Sequence, residues 1–188
     1  GKVTGLVEKP TENSEDLYRT VSLYLLNRKF LEILWEIPSE HYHFEKALAA
    51  LIKKNPVDCV ITEKENVSLK YAWNLFGVKD YLLKQLVLKI SEQAEISENV
   101  IIEGAVYIEK GAKVFEGAVL KGPLYIGKDV IIGNYSLIRG GAVLEEGVRV
   151  GAYSEVKNSI LGKGSGFDSG TVLDSIIGED VKIGANVL

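Results

Sequence analysis

The chain has 188 residues, with 22 basic and 26 acidic side chains for a formal charge of −4, and it carries 19 Gly, four Pro, one Cys and no Met. That length suits one or two domains with a real core, and the mild acidity excludes a general basic footprint for nucleic acid. A single Cys59 excludes an internal disulfide and points to a reducing, cytoplasmic setting, while the lack of any run of about 18 apolar residues excludes a spanning helix.

The first residues, GKVTG, have no charged leader followed by an apolar stretch, so they are not a signal peptide. They read as the middle of a strand, and with Met absent the chain is expected to be a piece of a longer protein. Residues 3–7 read as a short apolar strand closed by Pro10, and 11–16 as a polar loop. Residues 21–26 read as a buried strand. Phe30, Leu31, Leu34 and Trp35 recur at helical spacing behind Asn27 as N-cap. Phe44, Leu48, Leu51 and Ile52 mark a second amphipathic helix, ended by Asn55-Pro56. His41 and His43 enter that helix from a surface loop. They have no acidic or Cys partner at ligand-like spacing, so they are not read as a metal site. Residues 57–61 and 71–76 read as strands and 80–90 as a helix. Strands alternating with helices indicate an α/β layer, here over residues 1–90 and incomplete at its start.

From Ile96 the period changes. An aliphatic residue falls on every sixth position: Ile96, Ile102, Ile108, Val114, Leu120, Ile126, Ile132, Ile138, Leu144, Val150 and Val156. The fourth position after each anchor is apolar or small, from Val100 and Val106 to Ser154 and Ile160. The pattern slips between Leu161 and Ile176 and returns at Ile177-Gly178 and Ile183-Gly184. A six-residue period is neither helical nor simple alternation. It fits a parallel β-helix with three short faces per coil, inward anchors stacked from coil to coil, and small residues in the corners. Residues 91–188 are the expected β-helix, with about five coils. Gly162-Lys163-Gly164-Ser165-Gly166 lies inside the repeat and reads as a coil corner, not a phosphate loop. Asp129, Glu145, Glu146 and Asp180 read as solvated corner carboxylates. Tyr107, Phe115, Tyr125, Tyr135 and Tyr153 sit off the anchor positions and face outward, as a contact row for another subunit or the α/β layer, or as five separate surface rings.

Val7-Glu8-Lys9-Pro10, then Tyr71-Ala72-Trp73-Asn74, Lys79-Asp80-Tyr81-Leu82-Leu83, Val156-Lys157-Asn158-Ser159-Ile160 and Asp174-Ser175-Ile176-Ile177-Gly178 follow one another in an order that resembles the sugar-1-phosphate nucleotidylyltransferases. That family includes glucose-1-phosphate thymidylyltransferases, mannose-1-phosphate guanylyltransferases and the bifunctional UDP-N-acetylglucosamine-forming enzymes. The resemblance covers nearly all of this chain but only the later part of such a protein. It implies a left-handed β-helix, and attack of a sugar-1-phosphate on the α-phosphorus of a nucleoside triphosphate with loss of pyrophosphate. Such transfer rests on positioning and charge neutralisation. On this resemblance Lys9 contacts the sugar-linked phosphate as a point charge and Glu8 accepts sugar hydroxyls. Thr20 stands where many members carry an Asn for a sugar hydroxyl, and Asn74 where many carry the Asp that binds catalytic Mg²⁺. An amide is the poorer Mg²⁺ ligand because it brings no charge. The family's Gly-rich triphosphate loop is missing, so this chain is expected to be inactive alone, with homo-oligomers formed through the β-helix and no membrane or nucleic-acid partner.

Two other classes compete. A non-catalytic assembly or regulatory module is favoured by the changed residues at 20 and 74. A hexapeptide acyltransferase acting on an amino-sugar phosphate needs a general base, usually His. The repeat has no His. Asp168 stands at the place of the acetyltransferases' catalytic His and Thr171 at that of their Tyr.

Overall fold

A computed structural model describes residues 1–7, 17–64 and 66–185. The chain divides into two compact units, Gly1–Asn66 and Val67–Leu188.

In the first unit β1 (Lys2–Val3) pairs antiparallel with β2 (Val57–Asp58). An exposed ion pair, Lys2 to Asp58 at 2.7 Å, flanks the pairing and lowers the Asp58 carboxyl from its usual range. Helices α1 (Arg28–Glu36) and α2 (His43–Lys54) pack on each other. Their shared core is Phe30, Ile33, Ala47, Leu48, Leu51 and Ile52, with Phe44 edge-on to Phe30 at 5.1 Å. The His43 ring donates from Nε2 to the Leu34 carbonyl at 2.8 Å, so this histidine ties the two helices together. The Asn55 amide closes α2 on the Leu51 carbonyl, and Pro56, which has no amide to donate, follows.

Three expectations need correction here. Helix α1 buries Phe30 and Ile33, whereas Leu31 and Trp35 are exposed. Residues 21–26 form no strand, and Val21, Leu23 and Leu25 are exposed. A strand needs a neighbour to take its amides and carbonyls, and no described residue pairs with this stretch. Of 57–61, Val57–Asp58 pairs with β1 and Cys59 exchanges two backbone hydrogen bonds with Gly1, whereas Val60 and Ile61 lie in no described strand.

The second unit opens with α3 (Asn74–Leu83), where the sequence reading has a strand at 71–76 and a helix only from 80. The local reason is Asn74. Its Oδ1 accepts the backbone amides of Lys70 (3.0 Å) and Tyr71 (2.8 Å), which turns the chain into the helix. Phe76, Lys79 and Leu83 follow at i, i+3 and i+7, one helical face. The helix ends at Leu83, and Lys89–Ile90 is already a β-strand.

That strand begins a left-handed parallel β-helix of about five coils, an exception to the right-handed crossover rule. One face stacks Lys89–Ile90, Val106–Ile108, Leu124–Ile126, Val143–Leu144, Ile160–Leu161 and Ile176–Ile177. The second stacks Glu95–Ile96, Lys113–Val114, Ile131–Ile132, Arg149–Val150, Gly166–Phe167 and Lys182–Ile183. The third stacks Ile101–Glu103, Val119–Lys121, Leu137–Arg139, Glu155–Lys157 and Thr171–Leu173. The expected anchors from Ile108 to Val156 are all buried in one cluster, with Ile96 and Ile102 packed at its end.

Register explains the slip in period. Ile138 pairs with Val156, 18 residues on; Leu144 with Leu161, 17 on; Phe167 with Ile183, 16 on. Three corners are therefore one residue short, at Asn158, at 168–170 and at Asp174. The first shortening moves the inward corner position to buried Ser159, so Ile160, expected there, faces outward and is half-buried. The Ser159 hydroxyl donates to the Lys157 carbonyl at 2.7 Å and accepts the Ser175 amide at 3.1 Å from the next coil. Left-handed corners use Gly104, Gly111, Gly117, Gly140, Gly141, Gly147 and Gly164, or the αL-tolerant Asp129, Asn158, Asp174 and Asp180. Tyr135 and Tyr153 are the exceptions.

Candidate functional site

Glu8 and Lys9 lie outside the described residues. Thr20 belongs to the first unit, where its Oγ1 accepts from the Tyr24 hydroxyl at 3.4 Å. Asn74 belongs to the second. Its carbonyl oxygen has two lone pairs, and the amides of Lys70 and Tyr71 use both. The free end of the side chain is an NH₂ donor, which repels a cation. Among the described residues no three His, Cys, Asp or Glu side chains gather as a metal site. The described residues thus do not fit a Mg²⁺ ion at Asn74, and no step is drawn through one. Beside Asn74, the Tyr71 and Trp73 rings stack at 4.5 Å and 15°, with the Lys70 ammonium 5.5 Å from the Tyr71 ring centre.

A buried polar centre lies one helical turn further on. Lys79 is 4% exposed. Its ammonium donates to the Gly141 carbonyl at 2.8 Å and to Asn158 Oδ1 at 2.6 Å, and meets Asp80 Oδ1 at 2.8 Å. Three donors find three acceptors. Asn158 then donates from Nδ2 to Asp174 Oδ1 at 2.7 Å. Gly141 leaves room for this: a Cβ there would sit 3.2 Å from Lys79 Nζ. The stretches around Lys79, Asn158 and Asp174, far apart in the chain, meet at one corner of the β-helix. All three lie in motifs legible in the sequence, but nothing local to any of them shows that they touch. The available signal was a lysine on the apolar Phe76–Leu83 face of a helix.

The other candidates resolve into structural roles. At the Gly162–Gly166 corner the Gly164 amide donates to the Glu146 carbonyl and the Lys163 amide to Glu145 Oε2, so those two amides are taken by the preceding coil. The Ser165 hydroxyl points into the interior without a partner, between Val148 and Val181 of the adjacent coils. Glu146 bridges Lys128 (3.3 Å) and Lys163 (3.2 Å), which lowers its pKa. Asp129 and Asp180 sit in αL corners, their carboxylates over Gly111 and Gly164. Asp168 and Thr171 flank the second shortened corner and are both exposed.

The outward aromatics form two separate stacks rather than one row. Tyr135 and Tyr153 stack at 5.4 Å in the αL corners, and Tyr107 and Tyr125 stack at 5.9 Å on the first face. Burial, then a hydrogen bond to Glu109, pushes the Tyr125 phenol up to about 12. The folded chain thus holds that proton more tightly than an unfolded tyrosine with pKa near 10. The stabilisation from this difference is fully present below about pH 10 and is lost as pH rises towards 12. Ultraviolet difference titration of the folded chain is expected to show a phenol ionising near pH 12 that disappears in Tyr125→Phe; an unchanged titration curve contradicts the assignment.

Residues 102–188 match the family model of the GMPPB C-terminal domain. The bifunctional protein GlmU of Methanococcus aeolicus is 35% identical over 187 residues, a match covering 97% of this chain. These matches are consistent with the C-terminal β-helix of the sugar-1-phosphate nucleotidyltransferases. The chain spans 45% of the length of that GlmU. Among solved structures, the acetyltransferase domain of PglB from Neisseria gonorrhoeae, in complex with acetyl coenzyme A, aligns at 20% identity over 53% of this chain and 52% of that one, with a TM-score of 0.48. A mutant perosamine N-acetyltransferase from Caulobacter crescentus, in complex with CoA and GDP-perosamine, aligns at 17% identity over 60% of this chain and 57% of that one, with a TM-score of 0.32. No described helix is long and apolar enough to cross a membrane.

Proposed function

We propose that this chain is part of a nucleotidyltransferase that joins a sugar-1-phosphate to a nucleoside triphosphate and releases pyrophosphate. The observation that carries the reading is the match to GlmU over 97% of the chain, which takes in both compact units rather than the repeat alone. In this reading Lys9 neutralises the sugar-linked phosphate, while Glu8 and Thr20 bind sugar hydroxyls. The β-helix serves as the strut through which copies associate. The triphosphate site lies in another part of the protein, so the chain alone is inactive.

The test uses the full-length protein with a panel of sugar-1-phosphates and nucleoside triphosphates in the presence of Mg²⁺. Pyrophosphate release from at least one pair is expected. Lys9→Ala should lower kcat/KM about 100-fold or more, in line with about 3 kcal/mol for a lost charge-assisted phosphate contact. Silence with every pair sinks the reading.

A specific observation favours a second reading, a non-catalytic assembly or regulatory module. The Asn74 oxygen, which stands in the proposed metal position, is fully engaged by backbone amides. Silence in the assay together with an intact oligomer supports that reading. Acyl transfer would require Asp168 as base in a repeat that has no His, and consumption of acetyl-CoA with amino-sugar phosphates is its test.

A further inference from the structure

Among the described residues, the left-handed corners of the β-helix use Gly, Asp or Asn, with two exceptions: Tyr135 and Tyr153, both at φ 55°. A bulky side chain in that region is strained, and strain kept at a surface position points to a role other than packing. Burial does not repay it, since Tyr135 is 58% exposed and Tyr153 76%. The two residues sit on successive coils with their rings stacked at 5.4 Å and 15°. Their backbones are fixed: the Tyr135 amide donates to the Glu116 carbonyl at 3.0 Å and the Tyr153 amide to the Asn134 carbonyl at 2.8 Å. The rings alone are free to move.

The column around them makes a pair rather than a longer ladder. Before Tyr135 stands Gly117, and the ring lies over it; a Cβ on Gly117 would sit 2.4 Å from Tyr135 Cδ1. After Tyr153 the corner at 168–170 is one residue short and supplies no third ring. Open space adjoins that corner, with nothing within 4 Å of a Cβ on Gly170. Tyr153 thus has room to turn out of the stack. Neither hydroxyl meets a protein partner among the described residues, so a proton lost from either goes directly to water. The other ring pair is built differently. Tyr107 and Tyr125 stand 5.9 Å apart and half-buried on a flat face, and the Tyr125 hydroxyl is held by Glu109.

We propose that Tyr135 and Tyr153 are a modification site, at which a one-electron oxidant of the peroxidase and hydrogen peroxide class couples them into a dityrosine. Each phenol gives up one electron and its proton and becomes a phenoxyl radical. The two radicals pair through ring carbons ortho to oxygen, forming one carbon–carbon bond. The hydrogen on each of those carbons then passes through water to the oxygen, which restores both phenols. Two electrons and two protons leave overall, and they reduce one hydrogen peroxide to two waters. The new bond staples one coil to the next, just before the shortened corner at 168–170. Like any cross-link it closes a loop and removes freedom from the unfolded chain. The proposal is independent of the nucleotidyltransferase reading.

The test treats the full-length protein, at micromolar concentration, with a haem peroxidase and hydrogen peroxide. Trypsin cuts at Lys128, Arg139, Arg149 and Lys157, so the two tyrosines fall in separate peptides. A joined peptide two hydrogens lighter than the sum of the pair is expected, together with dityrosine fluorescence. It should exceed cross-links between copies about 100-fold, because the partner ring is held at millimolar effective concentration. Tyr135→Phe and Tyr153→Phe keep a ring for the stack but no phenol, and each should abolish the joined peptide. Tyr107→Phe should leave its yield unchanged. The coupled protein should melt roughly 5 °C higher. Cross-links found only between copies, or chiefly between Tyr107 and Tyr125, overturn the proposal, as does a sample in which Tyr135 and Tyr153 stay uncoupled. A coupled protein that melts at the uncoupled temperature overturns the stapling role.

Discussion

Gly151→Ala is expected to be the most damaging methyl group that can be added to this chain. An ideal Cβ on Gly151 lies 1.6 Å from the Asp168 carbonyl oxygen and 2.4 Å from its carbon. Both are main-chain atoms of the next coil, so no side chain can swing away. Coils are held at the spacing of a parallel ladder, about 4.8 Å, and the Gly151 amide donates to the Phe167 carbonyl at 2.9 Å across that gap. Relief of the overlap must break this bond and lift the following coil from the Val150–Phe167 contact. Overpacking against backbone with loss of a ladder bond should cost at least about 3 kcal/mol, which lowers Tm by roughly 6–12 °C for a chain of this size. Gly178→Ala is the control, because its Cβ meets only Val181 Cγ2 at an ordinary 3.8 Å. It should change stability by less than about 0.5 kcal/mol. Thermal melts followed by circular dichroism separate the two. Equal melting temperatures would show that the coils can part here without cost.

The tight contact at Gly151 has a cause in the register. Glu155 pairs with Thr171, 16 residues on, while Ile132 pairs with Val150, 18 on. The corner at 168–170 is therefore shorter than the corner it covers and runs across Gly151 instead of around it. Gly133 meets the Ala152 amide at 2.5 Å by the same construction, but over a full-length corner. The shortened corner therefore tightens a requirement for glycine that a full-length corner already imposes, from 2.5 Å at Gly133 to 1.6 Å at Gly151.

What the sequence made legible follows from how local each signal is. Ile108 to Val156 repeat every six residues because every coil buries one anchor per face, so a one-dimensional count recovers a three-dimensional column. The six-residue count puts Ile160 in the inward corner, where Ser159 stands, because a shortened corner breaks the count. Asn158 in the αL conformation is its only local trace. Residues 71–76 read as a strand because Tyr71, Trp73 and Phe76 are β-formers. The Asn74 side chain overrides that preference by capturing two amides. Residues 21–26 show the reverse case: the strand pattern is plain, but pairing depends on a neighbour that local sequence cannot supply. Among the candidate site residues, Asn74 was picked out by resemblance, and only geometry shows its oxygen engaged. Lys79 is legible only as part of a motif, because its role depends on partners at 141 and 158, more than 60 residues away.

Lys79 is where the second large effect is expected. Its ammonium is buried and satisfied by the Gly141 carbonyl, Asn158 Oδ1 and Asp80 Oδ1. It also stands 5.7 Å from the centre of the Phe76 ring. Lys79→Ala deletes the cation and leaves the Gly141 and Asn158 oxygens facing a void. Charge-assisted bonds are worth about 1.5–3 kcal/mol each, and a stranded buried acceptor adds to the loss, so about 3 kcal/mol is expected. The loss should fall on the docking of α3 rather than on the β-helix, whose anchor columns contain no atom of Lys79. Hydrogen exchange should therefore show the amides of Asn74–Leu83 losing protection while those of Ile132, Ile138 and Leu144 keep theirs. Lys79→Met keeps the length and apolar stem but not the charge, and should lie between wild type and Lys79→Ala. Asn158→Ala removes the second acceptor and the link to Asp174 together, so it should weaken the same helix. If α3 stays protected in Lys79→Ala, the helix is held by Leu83 and its apolar neighbours, and the buried ammonium is not what joins it to the coils.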